Sequence, residues 1–306
     1  MGELYSFKNH VSNKSSDDHL VTDVENAERF IRAHGDNFLY CKGKGWLVFD
    51  GQRWIQDEKD SVIEAAKQTA KQIREEVNDV EFDQLRSLLA THAIRSQSKR
   101  AIDAMVSLAR PKLTVSAKAL DQNPWLLNVT NGTIDLRNGT LQPHDRFNLI
   151  TKLAPVVYDP EASYPLWFRF LERVQPDAEV RAFLQRLAGY SLTGVIAEHV
   201  LPINYGTGRN GKSVYVDTLL HIWGDYARQV PTELLMEKRG DAHPTERTVL
   251  LGCRFASNRA YRASGLSLCI CIRNRARAGT KYLSGQTAHR RGQNQRTLHA
   301  TRLLRV

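Results

Sequence analysis

No acidic residue follows Glu246 in this 306-residue chain: residues 247–306 hold 13 Lys and Arg and no Asp or Glu. With about one residue in eight acidic in an ordinary domain, such a gap arises by chance on the order of once in a thousand sequences or less. The basic residues change type there as well, to 12 Arg against one Lys. The formal net charge of +10 is thus carried by one end, because the preceding residues hold 30 basic and 33 acidic side chains. A mildly acidic body excludes a uniformly basic nucleic-acid coat as the source of the overall charge.

Cysteine is scarce. Cys41, Cys253, Cys269 and Cys271 make no C-x-x-C spacing, which excludes a zinc ribbon and a disulfide framework and leaves free thiols as the expectation. No run approaches the roughly 20 apolar residues of a membrane span. The polar stretch 1–18 lacks the apolar centre of a signal peptide, so the expected location is cytoplasmic, with no membrane partner. The triplets beginning at Asn128, Asn131 and Asn138 match a glycosylation acceptor only formally, having no secretory route. There is no long-period repeat and no low-complexity block. What remains, 42% hydrophobic and 8% aromatic, is the composition of a globular chain long enough for two domains.

The most informative stretch is Gly206, Thr207, Gly208, Arg209, Asn210, Gly211, Lys212 and Ser213, a match to G-x-x-x-x-G-K-[ST]. Glycines at this spacing let successive backbone N–H groups turn inward around the β- and γ-phosphates of a nucleotide. Lys212 reaches those phosphates, the Ser213 hydroxyl ligates Mg²⁺, and the helix that follows adds its positive end. The short apolar lead-in 199–205 reads as a strand, although Pro202 would delete a ladder donor in a central one. Val214, Val216, Leu219, Leu220 and Ile222 form an apolar helical stripe ending at Trp223 and Gly224.

Upstream, 1–21 reads as a mobile lead-in. Thr22 caps an expected helix over 23–33, stopped by Gly35. Three short strands follow at 38–41, 46–49 and 53–55, with Tyr40, Trp46 and Trp54 either stacking bases or filling a β-meander core. Helices are expected over 61–77, 81–96 and 99–109, a hairpin region over 123–141, a boundary loop at 155–165, and two collar helices over 167–174 and 178–190.

Several ordered motifs carry a family resemblance. Pro124-Trp125-Leu126-Leu127-Asn128-Val129 is followed by Asn131-Gly132-Thr133-Ile134-Asp135-Leu136 and then by Leu149-Ile150-Thr151-Lys152. Phe183-Leu184-Gln185-Arg186 leads to Gly189-Tyr190-Ser191-Leu192-Thr193-Gly194, and then to the phosphate loop with Asn210 before Gly211. Over roughly 22–257 the chain resembles the phage and plasmid primase/helicase proteins, whose ATPase belongs to helicase superfamily 3 and which are similar to the poxvirus primase-helicase. The resemblance implies an ATP-driven DNA helicase of mobile-element replication, acting as a hexameric ring on single-stranded or forked DNA, with a separate primase as a further partner. It implies that residues 206–213 bind ATP·Mg²⁺ and that Lys212 is catalytic, stabilising charge on the transferring phosphoryl group. Asp241, His243, Pro244, Thr245 and Glu246 also match a family stretch, without an assigned role. No primase catalytic domain is expected, since little chain precedes Thr22.

The expected architecture is an incomplete α/β P-loop NTPase of AAA+-like type, preceded by an α+β N-terminal domain and a helical collar and followed by a disordered basic tail. Its divisions are 1–21, 22–160, 161–257 and 258–306. The departure from the family comes at the end of the strand around Arg254, Phe255, Ala256 and Ser257. In the family such a strand leads into the acidic second ATPase motif, whereas here Asn258 and Arg259 follow. The expectation is that residues after about Ser257 are an out-of-frame or replaced tail, that the second ATPase motif, sensor and arginine finger are missing, and that the chain is a defective copy that keeps nucleotide binding. A basic arm gripping phosphates and a simple disordered end are the other readings of that tail. For the whole chain, a non-catalytic DNA- or partner-binding remnant and a P-loop kinase stand as alternatives to the helicase.

Overall fold

The computed structural model describes residues 20–80, 82–195, 197, 202–204, 209–230, 253–261 and 266–271. The chain divides into two compact units, Met1–Asp50 with Trp54–Leu120, and Gly51–Arg53 with Asp121–Val306. The division therefore falls at Leu120, not in the turn-rich 155–165 loop. The reason is packing: β-strand residues Leu127, Val129 and Ile134 share one apolar cluster with Leu192, Val216 and Trp223 from helices beyond that loop.

In the first unit, helix α1 (Asp23–His34) starts where Thr22 Oγ1 accepts from Glu25 N–H at 3.1 Å, satisfying one of the free donors of the first turn. Ala27, Phe30 and Ile31 recur at helical spacing and are buried. Helices α2 (Ser61–Glu76), α3 (Asp83–Arg95) and α4 (Lys99–Ala109) follow a β-meander. Strands β1 (Phe38–Cys41), β2 (Gly45–Phe49) and β3 (Trp54–Gln56) run antiparallel in sequence, and β4 (Thr114–Val115) joins β1 in parallel, giving the order β3-β2-β1-β4. Phe30, Ala66, Ala70, Met105 and Ala109 are fully buried around Phe38. Each large side chain removed from water contributes about 1.5–3 kcal/mol, so this cluster stabilises the unit more than any of its surface ion pairs. Trp54 is 3% exposed, which assigns it to the core instead of to base stacking.

A polar network is buried beside that core. Asn26 Nδ2 donates to Ser96 Oγ at 2.9 Å, His92 Nε2 lies 3.0 Å from Asn26 Oδ1, and Arg29 grips Glu76 through Nε and a terminal nitrogen at 2.9 and 2.7 Å. Burial pushes the His92 imidazole below the ordinary histidine range, and the nearby Arg29 charge adds to the shift.

The second unit contains a three-stranded antiparallel sheet, β5 (Leu126–Val129), β6 (Gly132–Asp135) and β7 (Thr140–Gln142). Within the expected hairpin region its first turn is Thr130-Asn131, with Val129 opposite Gly132, so Gly132 opens the second strand instead of closing the loop. Helices α5 (Pro165–Val174) and α6 (Ala178–Leu192) form the collar, and Asp177 caps α6 by accepting from Glu179 and Val180 N–H. Strand β8 (Ile203–Asn204), helix α7 (Lys212–Trp223), strand β9 (Ala227–Gln229), strand β10 (Phe255–Tyr261) and strand β11 (Leu266–Cys271) complete the described part.

These strands make a sheet of order β8-β11-β10-β9. Strands β9 and β10 are parallel, while β11 runs antiparallel to both β10 and β8. The sheet is mixed, and the described residues show no P-loop NTPase fold. The boundary after Ser257 falls inside β10, and part of the region expected to be disordered forms β11. The physical reason is the apolar run beginning at Leu266, which has strand-forming composition and pairs with backbone donors and acceptors that β8 and β10 would otherwise leave open.

Candidate nucleotide-binding site

The site is built at the start of α7. Arg209 and Gly211 both have positive φ, +49° and +81°, and Gly211 is the residue immediately before the helix. Its place is tight as well as left-handed. A β-carbon there would come within 2.5 Å of Val174 Cγ1 and 3.2 Å of Phe170 Cε2, both on α5. The residue before α7, Gly211, has no side chain with which to cap the helix. An anion at that position would meet backbone donors and the positive end of the helix dipole.

Lys212 is the first residue of α7, and its Nζ donates to Asn210 Oδ1 at 2.6 Å. The ammonium is thereby held by the residue two positions before it. Ser213 is exposed one residue further on. Arg209 is exposed beside them, and Asn210 is half-buried. Gly206, Thr207 and Gly208 lie outside the described residues, as do Asp241, His243, Pro244, Thr245 and Glu246. The structure therefore brings together Arg209, Asn210, Gly211, Lys212 and Ser213 and leaves the first half of the motif unspecified.

The collar fixes α7 from behind. Trp167 of α5 stacks on Tyr215 of α7 with rings 6.0 Å apart and 10° from parallel, and Tyr215 Oη donates to Leu184 O of α6 at 3.1 Å. Val216, Leu219 and Trp223 turn the opposite stripe of α7 into the main apolar cluster. Strand β8 is short, and Pro202 stands just before it, where its missing N–H removes no ladder bond.

Arg254, which sequence reasoning treated only as part of a strand, ties β10 to the rest of the unit. Its guanidinium donates to Leu192 O at 2.6 Å and Leu126 O at 2.7 Å and lies 4.6 Å from the Tyr226 ring centre. Burial lowers the Arg254 pKa, and burial also pushes the Tyr226 phenol up to about 12. Tyr226 Oη in turn accepts from Asn128 N–H at 3.1 Å. No pattern in the sequence distinguishes this buried arginine from an exposed one; only the three-dimensional convergence of carbonyls does.

An ammonium at Lys212, an exposed hydroxyl at Ser213 and the start of a helix are groups of the kind that phosphate oxygens and a hard cation take. Among the described residues no cluster of three or more His, Cys, Asp or Glu offers a metal site of its own. No described helix is long and apolar enough to cross a membrane.

Residues 27–176 match the family model described as D5 N terminal like. Over 127 residues the chain is 30% identical to the protein named "Putative helicase L207/L206" of Acanthamoeba polyphaga mimivirus. That alignment covers 40% of this chain and 13% of the viral protein. Both similarities support a relation to the primase-helicase family, and the mixed α and β structure of the first unit fits the D5 N-terminal type. The chain thus spans a small part of the viral relative it matches.

Proposed function

We propose that this chain is a nucleotide-binding protein of the primase-helicase group, of the superfamily 3 type, serving phage or plasmid DNA replication. Residues Gly206, Thr207, Gly208, Arg209, Asn210, Gly211, Lys212 and Ser213 hold ATP, with Mg²⁺ on Ser213. The observation that carries the reading is the left-handed Gly211 opening α7 with Lys212 and Ser213 in its uncapped first turn. When bound, the nucleotide supplies the phosphoryl group and the metal neutralises its charge. Lys212 and the start of α7 would hold the β- and γ-phosphate oxygens, and Ser213 would hold the Mg²⁺.

Turnover needs more than this. A strand-end carboxylate that holds Mg²⁺ and orients water is standard in such sites, and β10 reaches Asn258 and Arg259 instead. A neighbour's arginine, worth roughly 10³–10⁵ in rate where it is used, would have to come from a ring of copies. The activity proposed for these 306 residues is therefore ATP binding with little hydrolysis, a form that has lost the helicase's second ATPase motif. Single-stranded or forked DNA, a hexameric ring and a separate primase are the partners this reading assigns.

The test is binding of a fluorescent ATP analogue to the purified chain with and without Mg²⁺, together with phosphate release in the presence of single-stranded DNA. Binding that depends on Lys212 and Mg²⁺ with negligible release supports the proposal. Rapid DNA-stimulated release abolished by Lys212→Ala overturns the inactive reading, and no nucleotide binding at all overturns the site. A non-catalytic DNA- or partner-binding role, for which Asn258 and Arg259 in place of carboxylates also speak, is the outcome if DNA is retained while nucleotide is neither turned over nor needed for that binding.

A further inference from the structure

Strands β1 and β2 are joined by Lys42-Gly43-Lys44, and Gly45 begins β2. Gly43 and Gly45 have φ of +93° and +81°, and a β-carbon added at either meets nothing within 4 Å. The turn consequently stands clear of the packed unit and presents two exposed lysines. Immediately below it, Tyr40 and Trp46 face each other across the strands in register, half-buried, with ring centres 5.4 Å apart in an edge-on arrangement. The exposed Arg110 places its guanidinium 5.2 Å from the centre of the Tyr40 ring.

Sheet topology adds a further cation. Because β4 runs parallel to β1, with Val115 opposite Cys41, the chain leaving β4 reaches exposed Lys118 at the same end as Lys42. The acidic neighbours are largely committed elsewhere. Asp57 uses its carboxylate oxygens to accept from Ser61 and Val62 N–H at 2.8 and 2.9 Å, and Glu28 pairs with Lys112 at 2.5 Å. Glu58, beyond β3, bounds the surface on the far side from β4. Among the described residues neither Lys42 nor Lys44 has a carboxylate partner.

We propose that the Lys42-Gly43-Lys44 turn, with Tyr40, Trp46 and Arg110, is a contact surface for single-stranded DNA. Lysines on an open glycine turn neutralise backbone phosphates without a rigid geometry of their own. The Arg110–Tyr40 stack offers a flat cationic face to an unpaired base, which is the combination that sequence-independent single-strand binders use. A duplex hides its base faces, so the stack gains nothing from it, whereas the lysines alone would bind both forms. The site belongs to the first unit and is separate from the 206–213 loop. It rests on the DNA-acting reading above only for the choice of DNA over RNA.

The experiment is fluorescence anisotropy of a labelled oligothymidylate with the full chain, without nucleotide, across a salt series. The double substitution Lys42→Gln with Lys44→Gln should weaken binding about tenfold or more and reduce the salt slope of log Kd by about 1.4, the value for two lost single-strand phosphate contacts. Arg110→Ala should weaken binding about tenfold while changing the slope by about 0.7. All three positions are surface sites, and an unchanged circular-dichroism melting curve verifies the fold. Unchanged Kd and slope in these variants overturn the inference, as does equal loss of duplex and single-strand affinity in Arg110→Ala or tighter binding of oligouridylate. Lys212→Ala separates the two sites. If it abolishes ATP binding and leaves oligothymidylate binding intact, both proposals hold. If the wild-type chain binds oligothymidylate through the turn but never binds ATP, the nucleotide site falls and this surface stands.

Discussion

The α-carbon of Gly211 is pressed against Val174: a single added methyl group would lie 2.5 Å from Val174 Cγ1 and 2.9 Å from its Cβ. The last residue of collar helix α5 thereby dictates which side chain the turn before α7 can carry. Gly211→Ala is expected to lose about 2–4 kcal/mol, combining a side chain at positive φ with overpacking. Urea unfolding measures the loss. Adding Val174→Ala should recover part of it, because the clash is relieved while the backbone strain is not; a double variant as unstable as the single one would show that Val174 is not the obstacle.

Lys212 Nζ donates to Asn210 Oδ1, and on the nucleotide-binding proposal Asn210 occupies the place of a phosphate oxygen as a neutral acceptor. Asn210→Asp places a full negative charge in that position, where it both holds the lysine and repels the nucleotide. ATP affinity should fall about tenfold or more, equivalent to roughly 1.4 kcal/mol. Asn210→Ala should change it by less than the aspartate variant. Calorimetric titration of the two variants compares them, and a stronger loss in the alanine variant would make Asn210 a nucleotide contact in its own right.

Arg254 donates to two buried carbonyls, Leu192 O and Leu126 O, while stacking on Tyr226. Arg254→Met keeps the apolar length but leaves both acceptors without this donor. An expected cost of about 2–4 kcal/mol follows from losing two charge-assisted bonds. Chemical denaturation of the full chain reads it, and a loss below about 1 kcal/mol would mean that water replaces the guanidinium.

The half-buried His92 has a pKa lowered by desolvation and by Arg29. The unfolded chain therefore binds a proton more readily than the folded one. The stability associated with the neutral ring is fully present well above the ordinary pKa of about 6.5 and declines as pH falls through it towards the lowered folded value. Melting temperature should drop between about pH 7 and pH 5, and His92→Gln should flatten that part of the profile, since glutamine stays neutral. A variant with an unchanged slope would place the sensitivity elsewhere.

Local chemistry made much of the first unit legible. Thr22 announces α1, Gly35 ends it, Ser98 caps α4 by accepting from Ala101 N–H, and the short aromatic strands lie where their alternation puts them. Each of these depends on residues a few positions apart. The same holds for the second half of the candidate site, because a glycine before Lys-Ser at a helix start is a local arrangement. The partition of the chain was not legible, since β5 and β6 join the unit of α7 through contacts between residues about 60–100 positions apart. The pairing of β11 between β8 and β10 was equally hidden. A run such as that beginning at Leu266 declares strand character but never its partner.

By itself the sequence determined that helices lie near 23, 61 and 99, that a glycine precedes Lys-Ser at a helix start, and that no Asp or Glu follows Glu246. All are set by side-chain type at short range. Tertiary structure alone decided that Val174 enforces Gly211, that Asn210 holds Lys212, that Trp54 belongs to the core, and that Arg254 closes buried carbonyls from α6 and β5. Those outcomes depend on which distant surfaces meet and what they exclude from water, a property of packed volume that no residue spacing encodes.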